Sequence, residues 1–310
     1  MAQGKAANMT SQADFNPPIG TPIMLTPSLH SIVAPNASPM TWRGTNTYLL
    51  GQSSLAIIDP GPDMPAHFDA IMAAVAGRKI DAILLTHSHV DHSPLARRLA
   101  DATHAPVLAY GDSKAGQSKI MQELLAAGMT GGGEGIDKNF KPDQCLKDGE
   151  IIHGPDWSLQ ALWTPGHMGN HMCFVWDDVL FSGDHVMGWA SSLVSPPDGD
   201  LTQFMASCER LLLRDERIYH AGHGAPILEP RKRIQWLISH RLKREKQILA
   251  ALKGKSLQVE QITKLIYTDT PPALLGAAGR NVLAHLINLA GRGLVNWGKT
   301  LTPNSIFSAS

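Results

Sequence analysis

The chain has 310 residues, and its 27 Lys and Arg residues balance 27 Asp and Glu residues, so the formal net charge is zero. This balance excludes a global basic field of the kind that attracts nucleic acids, although local clusters of cations could still bind them. The length is sufficient for one large domain with a smaller one. Three widely spaced cysteines, an odd number, predict reduced thiols rather than a disulfide framework.

The N-terminal part predicts no targeting or membrane segment. Residues 1–16 are polar and lack the apolar core of a signal peptide. Apolar runs of about 18 residues, the length that a membrane span needs, do not occur in the sequence. We therefore expect a cytoplasmic protein without a membrane partner, in which residues 1–20 are a disordered lead.

The next part of the chain alternates between strands and helices. Short apolar runs bounded by turn residues predict strands at 31–34, 47–50, 55–59, 81–85 and 106–109. The recurrence of Phe68, Ile71 and Val75 at helical steps predicts an amphipathic helix over 65–77, and a second helix is predicted at 95–101. This alternation indicates a sheet covered by helices.

A dense group of metal-ligating side chains directly follows the strand at 81–85. His87 and His89 are two residues apart, so they point to the same side of an extended chain. Asp91 and His92 are adjacent in the turn and cannot easily share that face, which predicts two metal ions rather than one. Two such ions would produce a hydroxide nucleophile at neutral pH. The alternative is a histidine-rich surface turn that binds metal weakly.

Three later segments repeat one pattern, in which a strand is followed by glycine and a ligand. His167 follows a strand at 159–163, Asp184 follows Gly183, and His223 lies between two glycines. Glycine allows a sharp turn and a close approach of the backbone to the site. Each histidine alone is more often a solvated or core residue. Their order after the first group predicts the missing ligands.

With these segments, the chain resembles the metallo-β-lactamase fold hydrolases. The resemblance implies an α+β fold, an αββα sandwich over residues 21–229. It also implies that Asp184 bridges two metals together with a hydroxide, and that Asp91 is catalytic, orienting this nucleophile or accepting its proton. Zn²⁺ is the expected metal for a histidine-rich site, and Mn²⁺ or Fe²⁺ also suits a bridging carboxylate. The implied ligands are His87, His89 and His167 for the first metal, and Asp91, His92 and His223 for the second.

Two further histidines and one loop are candidates for substrate contact. His171 and His185 lie close in sequence to predicted ligands, so either could contact substrate or support a ligand. A strand or loop histidine with a backbone partner is the alternative for both. The loop at 186–200 is predicted to lie beside the metals and to shape the pocket.

The C-terminal third changes in character. A basic linking helix is predicted at 230–252, within a connecting segment that ends at 254. Beyond it, residues 255–310 are predicted to form a winged-helix-like domain, in which the third helix carries Arg280 as a candidate substrate contact. Such a helix reads nucleic acid in many proteins, and packing onto the catalytic domain is the alternative. The predicted helices span 259–267, 271–278 and 280–292, and the wing spans 294–299.

This tail makes the chain similar to the lactamase-β-2 subfamily, whose members are known as endoribonucleases acting on single-stranded RNA. The resemblance implies that RNA is the substrate and that the reaction is phosphodiester hydrolysis. Besides the metal motifs, the matching segments are residues 44–50, 58–61, 239–241 with Glu245, and 281–286.

Three functions follow from these features. The first is a dinuclear metal phosphodiesterase acting on RNA, which a basic groove from the metals to the winged helix would favour. The second is a small-molecule hydrolase of a thioester, ester or lactone, like glyoxalase II, which a closed apolar pocket under the 186–200 loop would favour. The third is a non-catalytic module that binds nucleic acid or protein. A homodimer is compatible with each of them.

Overall fold

The computed structural model describes residues 11–131, 135–298, 301–302 and 305–310. Within these ranges, a seven-stranded sheet and a five-stranded sheet share one core cluster, and helices cover the outer face of each. A smaller three-stranded sheet belongs to the C-terminal part. The predicted αββα sandwich with a C-terminal winged-helix domain is confirmed.

The first sheet carries the N-terminal half of the sandwich. Its strands, in chain and sheet order, are β1 (Ile23–Thr26), β2 (Leu29–Val33), β3 (Asn46–Leu50), β4 (Ser54–Ile58), β5 (Lys79–Leu84), β6 (Val107–Ala109) and β7 (Gln144–Cys145). Strands β1 to β4 pair antiparallel, and β4 to β7 pair parallel. The parallel connections pass through α1 (Pro65–Val75), α2 (Leu95–Thr103) and α3 (Lys119–Ala126).

Burial on both faces explains the continuous apolar runs of the central strands. In β4, Ile57 belongs to the cluster that packs against α1 and α2, whereas the adjacent Ile58 belongs to the cluster between the sheets. Ile83 and Leu84 of β5 divide in the same way. A strand buried on both faces needs apolar side chains at every position, and therefore shows no polar alternation.

The second sheet completes the sandwich. Its strands are β8 (Ile151–His153), β9 (Ser158–Trp163), β10 (Met172–Trp176), β11 (Val179–Gly183) and β12 (Ile218–Ala221), in the order β12-β11-β10-β9-β8. Its outer face packs against α4 (Leu201–Leu212) and α5 (Pro230–Leu252). Asp200 caps α4, because its carboxylate accepts from the backbone N–H groups of Thr202 and Gln203.

Helix α5 occupies the predicted range 230–252, and it joins the two domains through both cores. Ile234 and Leu237 pack in the catalytic cluster, whereas Ile248 and Leu252 pack in the C-terminal cluster. The C-terminal domain contains β13 (Ser256–Gln258), α6 (Val259–Ile266), a 3₁₀ turn (Pro272–Leu274), α7 (Leu275–Gly291), β14 (Val295–Asn296) and β15 (Ile306–Ala309). The helix predicted as a linker is therefore a shared structural element.

The C-terminal domain differs from the prediction in its helices and in its sheet. The helices predicted at 271–278 and 280–292 form one helix, α7, after the 3₁₀ turn. Gly279 does not break it, because one glycine costs only about 1 kcal/mol in a helix, and Val282 and Leu286 are fully buried. Strand β15, which the sequence did not predict, pairs with β13 and β14. Lys299 of the predicted wing lies outside the described residues.

The prediction of a disordered lead at 1–20 does not hold for its second half. Residues 1–10 lie outside the described part. From residue 11 the chain packs on the catalytic domain, where Gln12 Nε2 donates to the Ala225 carbonyl at 2.8 Å and the Phe15 ring lies 6.0 Å from Trp42. In the described ranges, no helix is long and apolar enough to cross a membrane.

Candidate metal centre

The strand ends of both sheets bring the seven predicted ligands to one site. The turn after β5 carries His87, His89, Asp91 and His92, and the remaining ligands follow β9, β11 and β12. The ligand atoms form two groups, in each of which all atoms lie within 4.8 Å of one another. One group contains His87, His89 and His167, and the other contains Asp91, His92, Asp184 and His223.

The distances within the groups match the predicted division. His89 Nδ1 lies 3.0 Å from His87 Nε2 and 3.0 Å from His167 Nε2. In the second group, His223 Nε2 lies 3.2 Å from Asp91 Oδ2 and 3.3 Å from Asp184 Oδ2. The same Asp184 oxygen lies 3.8 Å from His167 Nε2. Asp184 thus reaches both groups, as a bridging carboxylate would.

Glycine allows the close approach that places Asp184. A Cβ on Gly222 would lie 2.4 Å from Asp184 Oδ1 and 2.6 Å from His92 Cε1, nearer than real Cβ atoms come. The pattern of strand, glycine and ligand therefore has a steric cause at this position.

The outer nitrogens of the histidines are held so that their inner nitrogens face the site. His92 Nδ1 donates to Asp59 Oδ2 at 3.0 Å, and His167 Nδ1 donates to the Leu193 carbonyl at 2.7 Å. His223 Nδ1 donates to the Gly44 carbonyl at 3.1 Å. Because carboxylate and carbonyl oxygens only accept, the proton must be on Nδ1, which leaves the Nε2 lone pair for a metal.

Asp59 is a supporting residue that the sequence-based selection missed. It follows β4, and its carboxylate also accepts from the Thr86 backbone N–H at 2.8 Å and from Thr86 Oγ1 at 2.7 Å. Thr86 Oγ1 in turn accepts from His87 Nδ1 at 3.0 Å. In the sequence, Asp59 could be recognised only as a carboxylate directly after an apolar strand. The tertiary structure shows that it supports a histidine of each ligand group, His92 directly and His87 through Thr86.

The electrostatics of the second group favour cations. Burial raises the pKa of Asp91, but His92 and His223 outweigh it and lower this pKa to about 2. Burial lowers the pKa of His223, but Asp184 and Asp91 raise it to about 10. In the metal-free chain, the carboxylates thus hold protons on the histidines. Asp184 Oδ1 is buried and has no hydrogen-bond partner in the described structure, so this donor set fits divalent metal ions.

Comparisons with known proteins agree with this geometry. The family model of the metallo-beta-lactamase superfamily matches residues 40–223. The chain belongs to the metallo-beta-lactamase superfamily. A model of the beta-lactamase associated winged helix domain matches residues 259–299. This pair of domains and the relatives named beta-lactamase-like protein 2 confirm the predicted subfamily.

Relatives of this superfamily hydrolase match over most of their length. The beta-lactamase-like protein 2 homolog of Drosophila melanogaster is 32% identical over 301 residues, 89% of this chain and 92% of that protein. An atrochrysone carboxyl ACP thioesterase of Aspergillus fumigatus is 29% identical, over 79% of this chain and 71% of that protein. The crystal structure of a metallo-beta-lactamase family protein from Thermus thermophilus is similar with a TM-score of 0.74 and 25% identity, covering 93% of this chain and 100% of that chain.

A cavity of about 260 Å³ opens directly at the metal centre of this superfamily member. His89, Asp91, His167 and Asp184 line it. The loop at 186–200 contributes Met187, Trp189, Ala190 and Leu193, and the C-terminal domain contributes Tyr267, Leu274, Ala277 and Ala278. The predicted contribution of the loop is therefore present. A contribution of the C-terminal domain was predicted through Arg280, but other residues of this domain line the cavity. The sequence did not indicate which ones, because no local pattern records contacts between distant segments.

The three predicted substrate residues lie away from the wall of this cavity. His171 is buried beside His87, with its Nδ1 bonded to Thr164 Oγ1 at 3.0 Å. His185 is buried against Phe204, at 4.4 Å between ring centroids, and Arg280 donates to the Thr130 carbonyl. These side chains pack or form hydrogen bonds within the protein, so their predicted substrate contacts find no support in this cavity.

Proposed function

We propose that this chain hydrolyses a carboxylic thioester or ester with a small, largely apolar acyl group, using two zinc ions. One observation carries the proposal, namely that apolar side chains from both domains line the cavity at the metal ligands. Pockets with mainly apolar walls and a few polar groups are typical of sites for small molecules. The thioesterase of Aspergillus fumigatus, 29% identical, supports the same class of substrate.

The charge of the cavity also favours a small acyl substrate over a polyanion. Arg244 is the single Lys or Arg side chain among the described residues that line it. A nucleic acid needs several cations along its phosphates, and its affinity depends on their number. An acyl group needs the opposite, a dry wall that excludes water from the bond to be cleaved.

The side chains at the metal end define how such a reaction would proceed. Metal ions held by these ligands would lower the pKa of a bound water and polarise the carbonyl oxygen under attack. Asp91 lines the cavity, so its carboxylate is placed to orient the attacking water. The Leu193 carbonyl fixes the ring of His167, which forms part of the same wall.

Zinc is proposed from the chemistry of the ligands. Five imidazoles and two carboxylates make up the two groups. Imidazole-rich sites suit zinc, whereas carboxylate-rich and carbonyl-rich sites suit harder ions. We expect the purified protein to retain Zn²⁺, and protein loaded with Mn²⁺ or Fe²⁺ is the comparison in the activity assay.

The test is a panel of acyl thioesters and esters assayed with the zinc-loaded protein. We expect hydrolysis of apolar acyl thioesters, and loss of this activity in Asp184→Ala. Asp156→Asn is the matched control, because Asp156 accepts from the backbone N–H groups of Gln52 and Ser53 at the surface, away from the metals. Thioester hydrolysis that persists in Asp184→Ala, or that is absent from the wild type, would refute the proposal.

Single-stranded RNA remains a second candidate substrate because of one exposed aromatic platform. The Trp236 side chain on α5 is 46% exposed. It stacks on His240, at 5.0 Å between ring centroids, and Arg233 lies 4.2 Å from its ring centroid. His240 itself lines the cavity. Aromatic rings with adjacent arginines bind the bases of single strands.

The RNA candidate has its own test. We expect a true endoribonuclease to lose RNA cleavage in both Trp236→Ala and Asp184→Ala, while Trp236→Ala retains any thioester hydrolysis. RNA cleavage that survives Asp184→Ala would identify a contaminating nuclease and exclude this candidate.

A further inference from the structure

Arg244 is the cationic side chain on the part of the cavity wall that α5 and the C-terminal domain form, and the other residues there are neutral. Its neighbours on that wall are Tyr267, Thr270, Leu274 and Asn281, none of which carries a charge at pH 7. Burial, followed by Arg241 and other nearby cations, lowers the pKa of His240 to about 4, so this imidazole is neutral at pH 7. One fixed positive charge therefore faces an apolar space.

The guanidinium of Arg244 is held in place without using all its donors. Its carbon lies 3.8 Å from the ring centroid of Tyr267. Nη1 donates to Gln247 Oε1 at 2.9 Å and to the Ile266 carbonyl at 3.3 Å. Nε is buried and has no hydrogen-bond partner in the described part of the chain. Among the described residues, no carboxylate forms an ion pair with this guanidinium.

A structural role explains only part of this arrangement. The bonds from Nη1 and the contact with Tyr267 attach α5 to the C-terminal domain. They leave a buried N–H group unpaired among the described residues, which costs free energy. The charge also lacks a compensating anion, which is unusual for a partly buried cation. A ligand with an oxyanion in the cavity would compensate this charge, because guanidinium groups bind carboxylate and phosphate through paired N–H donors.

We propose that Arg244 binds an oxyanion of the substrate, a carboxylate or a phosphate, while the bond to be cleaved lies at the metal ligands of the same cavity. The inference rests on the proposed function, and it narrows the substrate to an acyl ester or thioester with an anionic group beyond an apolar part. A carboxylate would belong to the acyl group, whereas a phosphate would belong to the leaving thiol or alcohol.

Four matched thioesters distinguish these sources. The acyl chain either ends in a carboxylate or in a methyl ester, and the thiol is either pantetheine or its phosphorylated form. We expect Arg244→Met to raise KM at least about tenfold, equivalent to about 1.4 kcal/mol, for the substrates that carry the recognised anion. KM for the matched neutral substrates and kcat should stay within about twofold. Arg244→Lys should restore part of the preference, because it retains the charge without the planar pair of donors.

Lys243→Met is the matched control, because Lys243 is the adjacent cation on α5 and is exposed outside the cavity. It removes the same charge and should leave KM for all four thioesters unchanged. An equal rise of KM for charged and neutral substrates in Arg244→Met, or no rise for any of them, would overturn the role of Arg244. A selective rise for one anion would support it and identify the source.

A binding measurement separates this inference from the proposed function. The metal-free protein is titrated with naphthoate, naphthyl phosphate and neutral naphthamide, and quenching of tryptophan fluorescence reports binding, because Trp189 lines the cavity. We expect at least one anion to bind about tenfold more tightly than naphthamide, and this preference to disappear in Arg244→Met. If no thioester is hydrolysed, the proposed function fails, and this titration still decides the role of Arg244. Equal binding of all three probes would overturn that role.

Discussion

Replacing Asp59 with Asn tests whether a residue that need not contact metal controls one of the two sites. The Asp59 carboxylate accepts from His92 Nδ1 at 3.0 Å, from Thr86 N at 2.8 Å and from Thr86 Oγ1 at 2.7 Å. In Asp59→Asn, one oxygen can still accept from the Thr86 backbone, but an amide N–H group faces His92. Because two donors cannot pair, the His92 proton must move to Nε2, the atom that faces the metal.

The structure predicts that Asp59→Asn lowers the metal affinity of the two sites by different factors. Loss of an outer hydrogen bond to a metal-binding histidine typically costs about 10–100-fold in metal affinity. That range corresponds to about 1.4–2.7 kcal/mol at the site containing His92. The other site is connected only through Thr86 Oγ1 and His87, at 3.0 Å. A hydroxyl can accept from both neighbours, so we expect less than a threefold change there, about 0.6 kcal/mol.

The assay is stepwise titration of metal-free protein with Zn²⁺ in competition with a chromogenic chelator. Wild type should bind two ions per chain, and Asp59→Asn should show one affinity nearly unchanged and one reduced. Asp156→Asn removes a carboxylate with comparable backbone partners, Gln52 N at 2.9 Å and Ser53 N at 2.8 Å, far from the ligands. Equal loss at both sites in Asp59→Asn, or no loss at either, would refute the tautomer argument.

Three further outcomes are expected. Gly222→Ala places a Cβ 2.4 Å from the Asp184 carboxylate and should abolish binding of both metals in the same titration. Gly276→Ala is its control, because Gly276 on α7 has open space around it. This variant should leave metal binding intact and stabilise the helix by up to about 1 kcal/mol. Arg241→Met removes buried hydrogen bonds from Arg241 to the Ser192 carbonyl and to the Asn281 side chain on α7. The free energy of unfolding in urea should fall by about 2–4 kcal/mol, against less than about 0.5 kcal/mol for Lys243→Met. Similarly small losses in both variants would contradict a stabilising role of these bonds. Burial, followed by nearby cations, lowers the pKa of His240 from 6.5 to about 4. The contribution of His240 to stability is therefore present above pH 6.5 and is lost as the pH falls through 4. His240→Phe should reduce the dependence of the unfolding free energy on pH over this range, and an unchanged slope would contradict this assignment.

Most of the sandwich was predictable because its local signals are strong. Central strands such as β4 and β5 end in continuous apolar runs, and helix α5 occupies the range that its residue pattern predicts. The missed elements have weaker signals. Strand β15 is short and mostly exposed apart from the buried Phe307, and of its partners β13 and β14 the first is distant along the chain. Only pairing across the domain makes it a strand, since β propensity depends strongly on context.

The metal ligands were predictable for a different reason. Four of them lie in one turn, and the others follow strands that end at the same edge, so spacing and order suffice to predict them. Asp59 was missed because a carboxylate after a strand has many possible uses, and its bonds to His92 and Thr86 span 33 and 27 residues. The substrate contacts predicted for His171 and His185 find no support in this cavity, because closeness in sequence to a ligand does not imply exposure to the cavity and both side chains are buried.

The sequence by itself determined the family, the candidate ligand set and hydrolysis as the class of reaction, because those depend on residue types at short, ordered spacings. The tertiary structure alone decided what surrounds the metals. It placed the 186–200 loop, the α5 residues His240 and Arg244, and the first turns of α7 around one cavity. Their selection depends on side-chain packing between segments far apart in the chain. That packing brings the C-terminal domain to the candidate metal centre, and it makes this domain part of the cavity wall.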